Sequence, residues 1–218
     1  MNSRRLFIGD IHGCLLELEE LVRLFNPKPG DEIYCVGDVI NKGPSTVETL
    51  YFMKQNGIQS VLGNHESYFL YLMDAPRQKL KTKEKRFLEQ FFGEEHEWAC
   101  EIATWPMFLE WEDIWLVHAG LQPGIEHPSQ MDPAVLLAVR TWDGKGIDMR
   151  SLANPAWFEV TGHKKKVIFG HWAMKGLVDL PLTTGLDTGC VYGGKLTGFC
   201  PEESRFYSVQ AKKQWVVV

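Results

Sequence analysis

The sequence predicts an α/β fold, and three features of its first third support this prediction. Residues 4–9, 32–36 and 58–62 are short, mostly apolar runs of the kind that form buried strands. The segments between them carry apolar residues at helical spacing, and proline or glycine separates each segment from the next strand. This β-α-β-α-β order predicts a parallel sheet covered by helices. Functional side chains are then expected just past the carboxyl ends of the strands.

The predicted helices follow from periodicity and from the residues that begin or end them. In residues 14–25 one helical face carries Leu15, Leu18, Leu21, Val22 and Phe25. Pro44 suits the first helical position, so we expect a second helix to begin there and to end near Gly57. Residues 68–105 are predicted to be mostly helical. Beyond Phe108 we expect strands at 114–117, 167–169, Leu186, 195–199 and 206–209.

Composition predicts one domain over residues 1–218, because 44% hydrophobic content supports one core and no repeat or linker is visible. The 23 Lys and Arg against 28 Asp and Glu give a formal charge of −5. That charge argues against a general nucleic-acid or membrane-surface binder. No apolar run approaches the roughly 20 residues that span a bilayer. Two basic clusters, residues 77–86 and 164–166, are interpreted as solvated faces.

The five cysteines predict a reducing environment. Their number is odd, and their spacing matches no common metal-binding pattern. The N-terminal segment has only a short apolar stretch before Gly9, which is too short for a secretory signal. We therefore expect free thiols and a cytoplasmic protein.

Polar residues with metal-binding atoms follow predicted strands at six places in the chain. In four of these places glycine comes directly before the polar residue, which lets the backbone approach closely. A single such residue is typical of a turn or of a core histidine, but six in one chain are hard to explain as turns. The residues are Asp10, His12, Asp38, Asn64, His65, His118, His171 and Asp187.

These residue types predict a site for two divalent metal ions. Aspartate, asparagine and histidine offer oxygen and nitrogen atoms, which suit Mn, Fe, Co, Zn or Ni. Two such ions about 3.5–4 Å apart can share a bridging carboxylate and a bridging hydroxide. Two aspartates and the hydroxide cancel only part of the positive charge of the metals. The remaining charge favours a phosphoryl group and stabilises its transition state.

Five motifs resemble one family. GDIHG, GDVINKGP, GNHE, VHAG and FGHW occur in the order found in calcineurin-like metallophosphoesterases, and the resemblance runs from residue 6 to about residue 209. Within that family, LDTGCVYGGKLT looks like the bacterial symmetrical diadenosine tetraphosphatases. The resemblance implies two mixed β-sheets packed as a sandwich and flanked by helices. It also implies a hydrolase that splits diadenosine tetraphosphate, or a related nucleoside polyphosphate, symmetrically to two ADP by attack of a metal-bridging hydroxide.

The resemblance implies a role for each matching residue. The implied metal ligands are Asp10, His12, Asp38, Asn64, His118 and His171. The first two would hold one metal, Asp38 would bridge both metals, and the last three would complete the other. Asp38 and His65 would be the catalytic residues, with His65 protonating the leaving oxygen. Mn²⁺ is the expected ion, with Co²⁺, Fe, Zn²⁺ and Ni²⁺ as alternatives.

Two basic residues are candidates for binding substrate phosphate. Lys42 stands where the family usually has an arginine, so it keeps the charge but loses the bidentate fork. Arg140 follows an apolar helical stretch, near an arginine of the similar tetraphosphatases, and a surface ion pair is its alternative role. Residues 187–190 either line the pocket or form a tight turn. Ala173 replaces a histidine found in many relatives, which leaves the first metal with three protein ligands.

Asn41 bears on the kind of bond that is cleaved. Protein serine/threonine phosphatases have an aspartate at this position, which orients the general-acid histidine. An amide cannot stabilise an imidazolium as a carboxylate does, so the pKa of His65 is expected to be lower than in those enzymes. A nucleoside diphosphate needs less protonation to leave than a serine alkoxide does, so Asn41 favours phosphoanhydride cleavage. Glu66 weakly favours a protein phosphatase, but we interpret it as a first-turn acid at a helix N-terminus.

The expected partner is a small nucleoside polyphosphate, with no membrane and no nucleic acid other than capped RNA. Three alternatives stay open. The first is a protein serine/threonine phosphatase of the same fold. The second is removal of nucleoside-polyphosphate caps from RNA, which only the basic residues 77–86 support. The third is a non-catalytic nucleotide or metal sensor, against which His65 argues, because binding alone requires no general acid.

Overall fold

The computed structural model describes residues 3–217, and two five-stranded sheets form its centre. The strands are β1 Arg5–Ile8, β2 Glu32–Cys35, β3 Gln59–Ser60, β4 Phe108–Glu110, β5 Ile114–Val117, β6 Lys166–Phe169, β7 Val178–Leu180, β8 Thr183–Gly185, β9 Lys195–Cys200 and β10 Arg205–Gln210. The α-helices are α1 Leu15–Phe25, α2 Thr46–Gln55, α3 Asn64–Asp74, α4 Thr82–Glu89, α5 Glu95–Ile102, α6 Pro133–Ala138 and α7 Trp157–Val160.

Both sheets are mixed, which confirms the prediction of two mixed sheets. The first has the order β10-β9-β1-β2-β3, in which β1, β2 and β3 run parallel and β9 and β10 are antiparallel to their neighbours. The second has the order β4-β5-β6-β8-β7, with β5, β6 and β8 parallel and an antiparallel strand at each edge. Each sheet therefore has three parallel strands that end at the same edge.

Apolar side chains from both sheets meet in one layer and hold the sheets face to face. That layer contains Phe7, Tyr34, Val36, Val61, Ile114, Leu116, Ile168, Leu186 and Phe199. On the outer face of the first sheet, α1 packs against β9 and β10. The outer face of the second sheet packs against α6 and α7 through Val135, Leu136 and Trp157. Hydrophobic burial between the two sheets and on both of their outer faces thus fixes the relative positions of the strand ends.

The periodicity that predicted α1 is borne out, because Leu18, Leu21, Val22 and Phe25 are buried. Some predicted boundaries were wrong. The second helix begins at Thr46 rather than at Pro44, because the preceding residues form a loop against the first strand end. The strand expected at 58–62 is only the two residues of β3, because the N–H of Leu62 turns to the carbonyl of Pro106.

One prediction about the later strands was also wrong. Leu186 was expected in a strand, but β8 ends one residue earlier and Leu186 begins the loop into the cleft. The short edge strand β7 was not predicted. One domain over 1–218 stays a prediction, and residues 1–2 and 218 lie outside the described range. Within that range no helix combines the length and apolarity needed to cross a bilayer.

Candidate metal centre and active site

The carboxyl ends of the parallel strands converge on one cleft with a volume of about 390 Å³. Eight of the nine residues predicted as catalytic, metal or substrate residues line it, namely Asp10, His12, Asp38, Lys42, Asn64, His65, Arg140 and His171. The ninth, His118, is fully buried directly behind them. Residues far apart in sequence meet here because all of them except Arg140, which follows α6, lie in segments that follow strands of the two packed sheets.

Asp38 lies at the centre of this group. Its Oδ2 atom is 3.6 Å from Nε2 of His12 and 3.9 Å from Nε2 of His65, and its Oδ1 atom is 3.5 Å from Nε2 of His118. Burial alone would raise the pKa of the Asp38 carboxyl, but the surrounding histidines and the N–H of His65 hold that pKa below its usual range. One carboxylate therefore faces imidazoles on two sides, which is what a bridging ligand requires.

Asn64, His118 and His171 form one side of the centre. Oδ1 of Asn64 is 2.9 Å from Nε2 of His118 and 2.8 Å from Nδ1 of His171. Nδ1 of His118 lies 2.8 Å from the carbonyl of Val36, so it donates there and leaves the lone pair on Nε2 directed into the site. Burial lowers the pKa of His171 well below its ordinary value, which favours the neutral imidazole that metals bind.

His12 forms the other side of the centre. Its Nδ1 donates to the carbonyl of Ile40 at 3.1 Å, so Nε2 presents a lone pair to the cleft. Burial lowers the pKa of His12 well below its usual value. The ammonium of Lys42 lies 2.8 Å from that Nε2. A cation thus already lies against the nitrogen that was predicted to bind a metal.

Asp10 reaches the cleft but turns its carboxylate towards a backbone amide. Both of its oxygens accept the N–H of His171, at 3.0 and 3.1 Å. Burial raises the pKa of Asp10, as do the nearby charges of Asp187 and Asp38. Burial also raises the pKa of Asp187 to about 6. Within residues 3–217 neither Asp10 nor Asp187 forms an ion pair, and the more distant charge of Lys42 opposes their pKa shifts only in part. The two adjacent buried carboxylates therefore suit an additional positive charge such as a metal ion.

The side chains present fit divalent metal ions. Asp38 belongs to two groups of side chains whose donor atoms lie within 4.8 Å of one another. One group adds His12 and His65, and the other adds His118 and His171. All donors are oxygen or nitrogen, as predicted. The geometry brings His65 close enough to act as a ligand or as an acid.

Asn41 is the hydrogen-bond partner of His65, as the sequence suggested. Its side-chain nitrogen lies 2.8 Å from Nδ1 of His65. Burial lowers the pKa of His65 to about 4, although the charge of Asp38 acts in the opposite direction. The amide adds nothing that would favour the imidazolium, so His65 is neutral at neutral pH.

Glu66 is a residue whose place in the site the sequence reasoning missed. It lies in the first turn of α3, as interpreted, but its carboxylate is also fully buried and accepts backbone N–H groups of Asp38, Val39, Ile40 and Gly63. A signal existed in the sequence, since Glu66 has the same three-residue spacing as Phe69 and Leu72, the other buried residues of α3.

Arg140 points into the cleft without an acidic partner. Its Nη2 lies 3.5 Å from the carbonyl of His171, and its buried Nε has no hydrogen-bond partner. Burial lowers the pKa of Arg140. Since no ion pair of Arg140 exists in the described part of the chain, the alternative of a surface ion pair is wrong. Residues 187–190 were expected either to line the pocket or to form a tight turn, and they do both. The N–H of Gly189 closes a turn on Asp187, and both of these residues line the cleft.

Comparison with known proteins identifies the family. A family model described as calcineurin-like phosphoesterase matches residues 3–179, which is more than half of the chain. The chain belongs to the calcineurin-like phosphoesterase family. The recognition made from five motifs is thereby confirmed, and membership implies a hydrolase that works with divalent metal ions.

Several relatives of this phosphoesterase have the same name, symmetrical bis(5'-nucleosyl)-tetraphosphatase. One from Vibrio parahaemolyticus is 27% identical over 94% of this chain and 97% of its own length. Another from Tolumonas auensis is 29% identical over 93% of this chain and 95% of its own. A crystal structure described as a candidate diadenosine tetraphosphatase has a TM-score of 0.83 and 28% identity, and covers 96% of this chain and 94% of that one.

A protein serine/threonine phosphatase from Saccharomyces cerevisiae also has a similar structure. Its TM-score is 0.68 at 16% identity, with 97% of this chain and 81% of that one covered. At this level of identity the likeness shows the shared fold and nothing about the substrate.

Proposed function

We propose that this phosphoesterase hydrolyses dinucleoside polyphosphates and cleaves diadenosine tetraphosphate symmetrically to two ADP. The observation that carries the proposal is that Lys42 and Arg140, neither of which forms an ion pair among residues 3–217, lie in one cleft with the predicted metal ligands. A chain of phosphates extends beyond the reacting phosphorus and needs cationic partners on both sides of it. The names of the relatives support the same substrate class.

The partner of His65 supports an anhydride rather than an ester as the bond that is cleaved. Asn41 leaves His65 neutral, with its Nε2 directed towards Asp38 and the cleft. A neutral imidazole can donate a hydrogen bond to a departing oxygen but is a poor source of a full proton. ADP leaves readily without protonation, whereas a serine alkoxide does not.

Each remaining residue has a task in this reaction. Divalent ions, with Mn²⁺ expected first, would supply Lewis-acid activation of water and of the phosphoryl oxygens. The residues that would hold them are Asp10, His12, Asp38, Asn64, His118 and His171. The guanidinium of Arg140 can bind phosphate oxygens in bidentate fashion, while Lys42 contributes a point charge. The five free cysteines support a reducing compartment, and we place the enzyme in the cytoplasm as a single domain.

The test offers three substrates to the purified protein with Mn²⁺: diadenosine tetraphosphate, a phosphoserine peptide, and RNA with a nucleoside-tetraphosphate cap. Chromatography of the nucleotide products is expected to show ADP alone. Turnover of the peptide only would make the protein a phosphoprotein phosphatase, and AMP with ATP would exclude symmetrical cleavage. A salt-sensitive preference for capped RNA, lost when the basic residues 77–86 are neutralised, would favour decapping.

A further inference from the structure

Glu66 makes an unusual set of hydrogen bonds for a residue that contacts neither the cleft nor solvent. Its Oε2 accepts the N–H of Asp38 at 2.8 Å and of Gly63 at 3.0 Å. Its Oε1 accepts the N–H of Val39 at 2.9 Å and of Ile40 at 3.1 Å. Four donors fill both carboxylate oxygens, and three of these donors belong to consecutive residues that begin with the central carboxylate of the site.

We infer that Glu66 is a positioning residue that fixes Asp38 between the two predicted metal positions. The inference rests on the proposed function only in requiring that Asp38 be a metal ligand. It assigns no contact between Glu66 and substrate or metal. Glu66 acts through the backbone of the loop that carries Asp38.

The backbone at Asp38 needs such support. Asp38 has φ +51°, the left-handed region that costs a non-glycine residue about 1 kcal/mol or more. The turn that results directs the three N–H groups of residues 38–40 into one concave surface, which binds anions. The Glu66 carboxylate occupies this surface. Without an anion there, three aligned N–H groups would be buried and unpaired. The loop would then lack the hydrogen bonds that stabilise this conformation.

The same carboxylate joins the two loops that carry the central ligands. Glu66 follows Asn64 and His65 at the start of α3, and the N–H of His65 donates to Oδ1 of Asp38 at 2.9 Å. Gly63 lies so close that a Cβ atom there would be 2.3 Å from the nitrogen of Asp38. Movement of Glu66 would therefore change the distance between Asp38 and Asn64, which were predicted to share a metal.

The burial of the Glu66 carboxyl group has no other explanation in the described part of the chain. The side chain is 0% exposed and forms no ion pair with lysine or arginine. A helix N-terminus needs one acceptor for its cap, and the bond from Gly63 supplies that need. The other three bonds hold the Asp38 loop, and a buried carboxylate is retained only where such donors compensate for its lost hydration.

The test replaces Glu66 by glutamine, which has the same shape but offers one acceptor oxygen. At least one pair of backbone N–H groups then faces an NH₂ group. We expect Glu66→Gln to bind Mn²⁺ about 10- to 100-fold more weakly, the range for residues that orient metal ligands. Electron paramagnetic resonance of the Mn²⁺-loaded protein is expected to lose the spin coupling of a bridged pair, a readout that general destabilisation does not change.

Glu17→Gln is the matched control. Glu17 is also a buried carboxylate, 2% exposed, that accepts a backbone N–H, that of Lys212, but it belongs to α1 and touches no predicted ligand. It is expected to lower thermal stability without changing Mn²⁺ affinity or spin coupling. If Glu66→Gln does not fold, Glu66→Asp, which keeps the charge but is one methylene shorter, is measured in the same way.

Wild-type Mn²⁺ affinity and unchanged spin coupling in folded Glu66→Gln would overturn the inference. Neither measurement involves a substrate, so the inference can stand even if the protein hydrolyses something other than a dinucleoside polyphosphate. A wild-type protein that binds no paired Mn²⁺ would overturn the metal centre itself, and this inference with it.

Discussion

The side-chain nitrogen of Asn41 donates to Nδ1 of His65 at 2.8 Å, while its oxygen accepts the backbone N–H of Lys42 at 2.7 Å. The second bond fixes the orientation of the amide, because only the oxygen can accept that N–H. Nδ1 of His65 must therefore be an acceptor, and the proton of the neutral ring is on Nε2. An imidazolium would bring two donors face to face, so the structure favours the good leaving groups of the proposed reaction.

Replacing Asn41 with aspartate is expected to change leaving-group preference. A carboxylate would accept a hydrogen bond from Nδ1–H and so stabilise the imidazolium, which protonates poor leaving groups. We expect kcat/KM for phenyl phosphate to rise about tenfold relative to kcat/KM for diadenosine tetraphosphate, equivalent to about 1.4 kcal/mol. Asn41→Ala removes the partner without adding charge and serves as the control. Equal changes for both substrates in Asn41→Asp would show that Asn41 has no part in this preference.

His65 and Asp38 are expected to differ when each is replaced by alanine. Asp38→Ala removes the only carboxylate shared by both donor groups, so metal and activity are expected to disappear together. His65→Ala is expected to keep the metals and to lose turnover near the lower end of the roughly 10²- to 10⁴-fold range for general acids, because ADP needs little assistance. Metal analysis and turnover measured on the same samples provide the test. Equal metal loss in both variants would make His65 a ligand instead.

Arg140 is expected to act on substrate binding. Charge-assisted hydrogen bonds contribute about 1.5–3 kcal/mol, so Arg140→Met should raise KM for diadenosine tetraphosphate roughly 10- to 100-fold while metal content is unchanged. Arg140→Lys should restore part of the loss, since the charge returns without the fork. Arg23 is exposed on α1, pairs with Glu20 and does not line the cleft, so Arg23→Met is the control. A KM that Arg140→Met leaves unchanged would contradict the proposed contact.

The positions of the proposed metal ligands in the fold could be predicted from the sequence because strand ends have a simple signature. A buried apolar run followed by Asp, Asn or His fixes both the type of residue and its place in the fold, as with Asp10 after β1 and His118 after β5. The short edge strand β7 lacked such a signature. Its residues pair on one side only and are largely exposed, so tertiary contact rather than local pattern determines that strand.

The role of Glu66 could not be predicted because it depends on two segments that meet only in the folded chain. The spacing of Glu66 with Phe69 and Leu72 indicates a buried face, but nothing local shows that the N–H groups of residues 38–40 point at that face. That Arg140 has no acidic partner in the described part of the chain could not be predicted either. Whether a basic residue has an acidic partner is decided by the packing of distant loops, and the sequence left both possibilities open.

Asp31 is expected to contribute to stability through Arg4, away from the cleft. It accepts the backbone N–H of Arg4 at 3.0 Å, the Nε–H of Arg4 at 3.1 Å and the N–H of Lys28 at 2.7 Å. The side-chain hydrogen bond from Arg4 lowers the pKa of Asp31 to about 2. A folded pKa below the unfolded one means that the stabilisation is present above about pH 4 and is lost as pH falls towards 2.

We therefore expect Asp31→Asn to be less stable than wild type at neutral pH, with a difference that narrows at acid pH. The Arg4 side chain is 20% exposed, so solvent screens the pair and the expected difference is about 1–2 kcal/mol at pH 7. Urea unfolding at pH 7 and pH 3 measures it. Asp179, exposed and without an ion pair among residues 3–217, supplies the control Asp179→Asn, which should change nothing. A difference between wild type and Asp31→Asn of equal size at both pH values would exclude the charge of Asp31 as its cause.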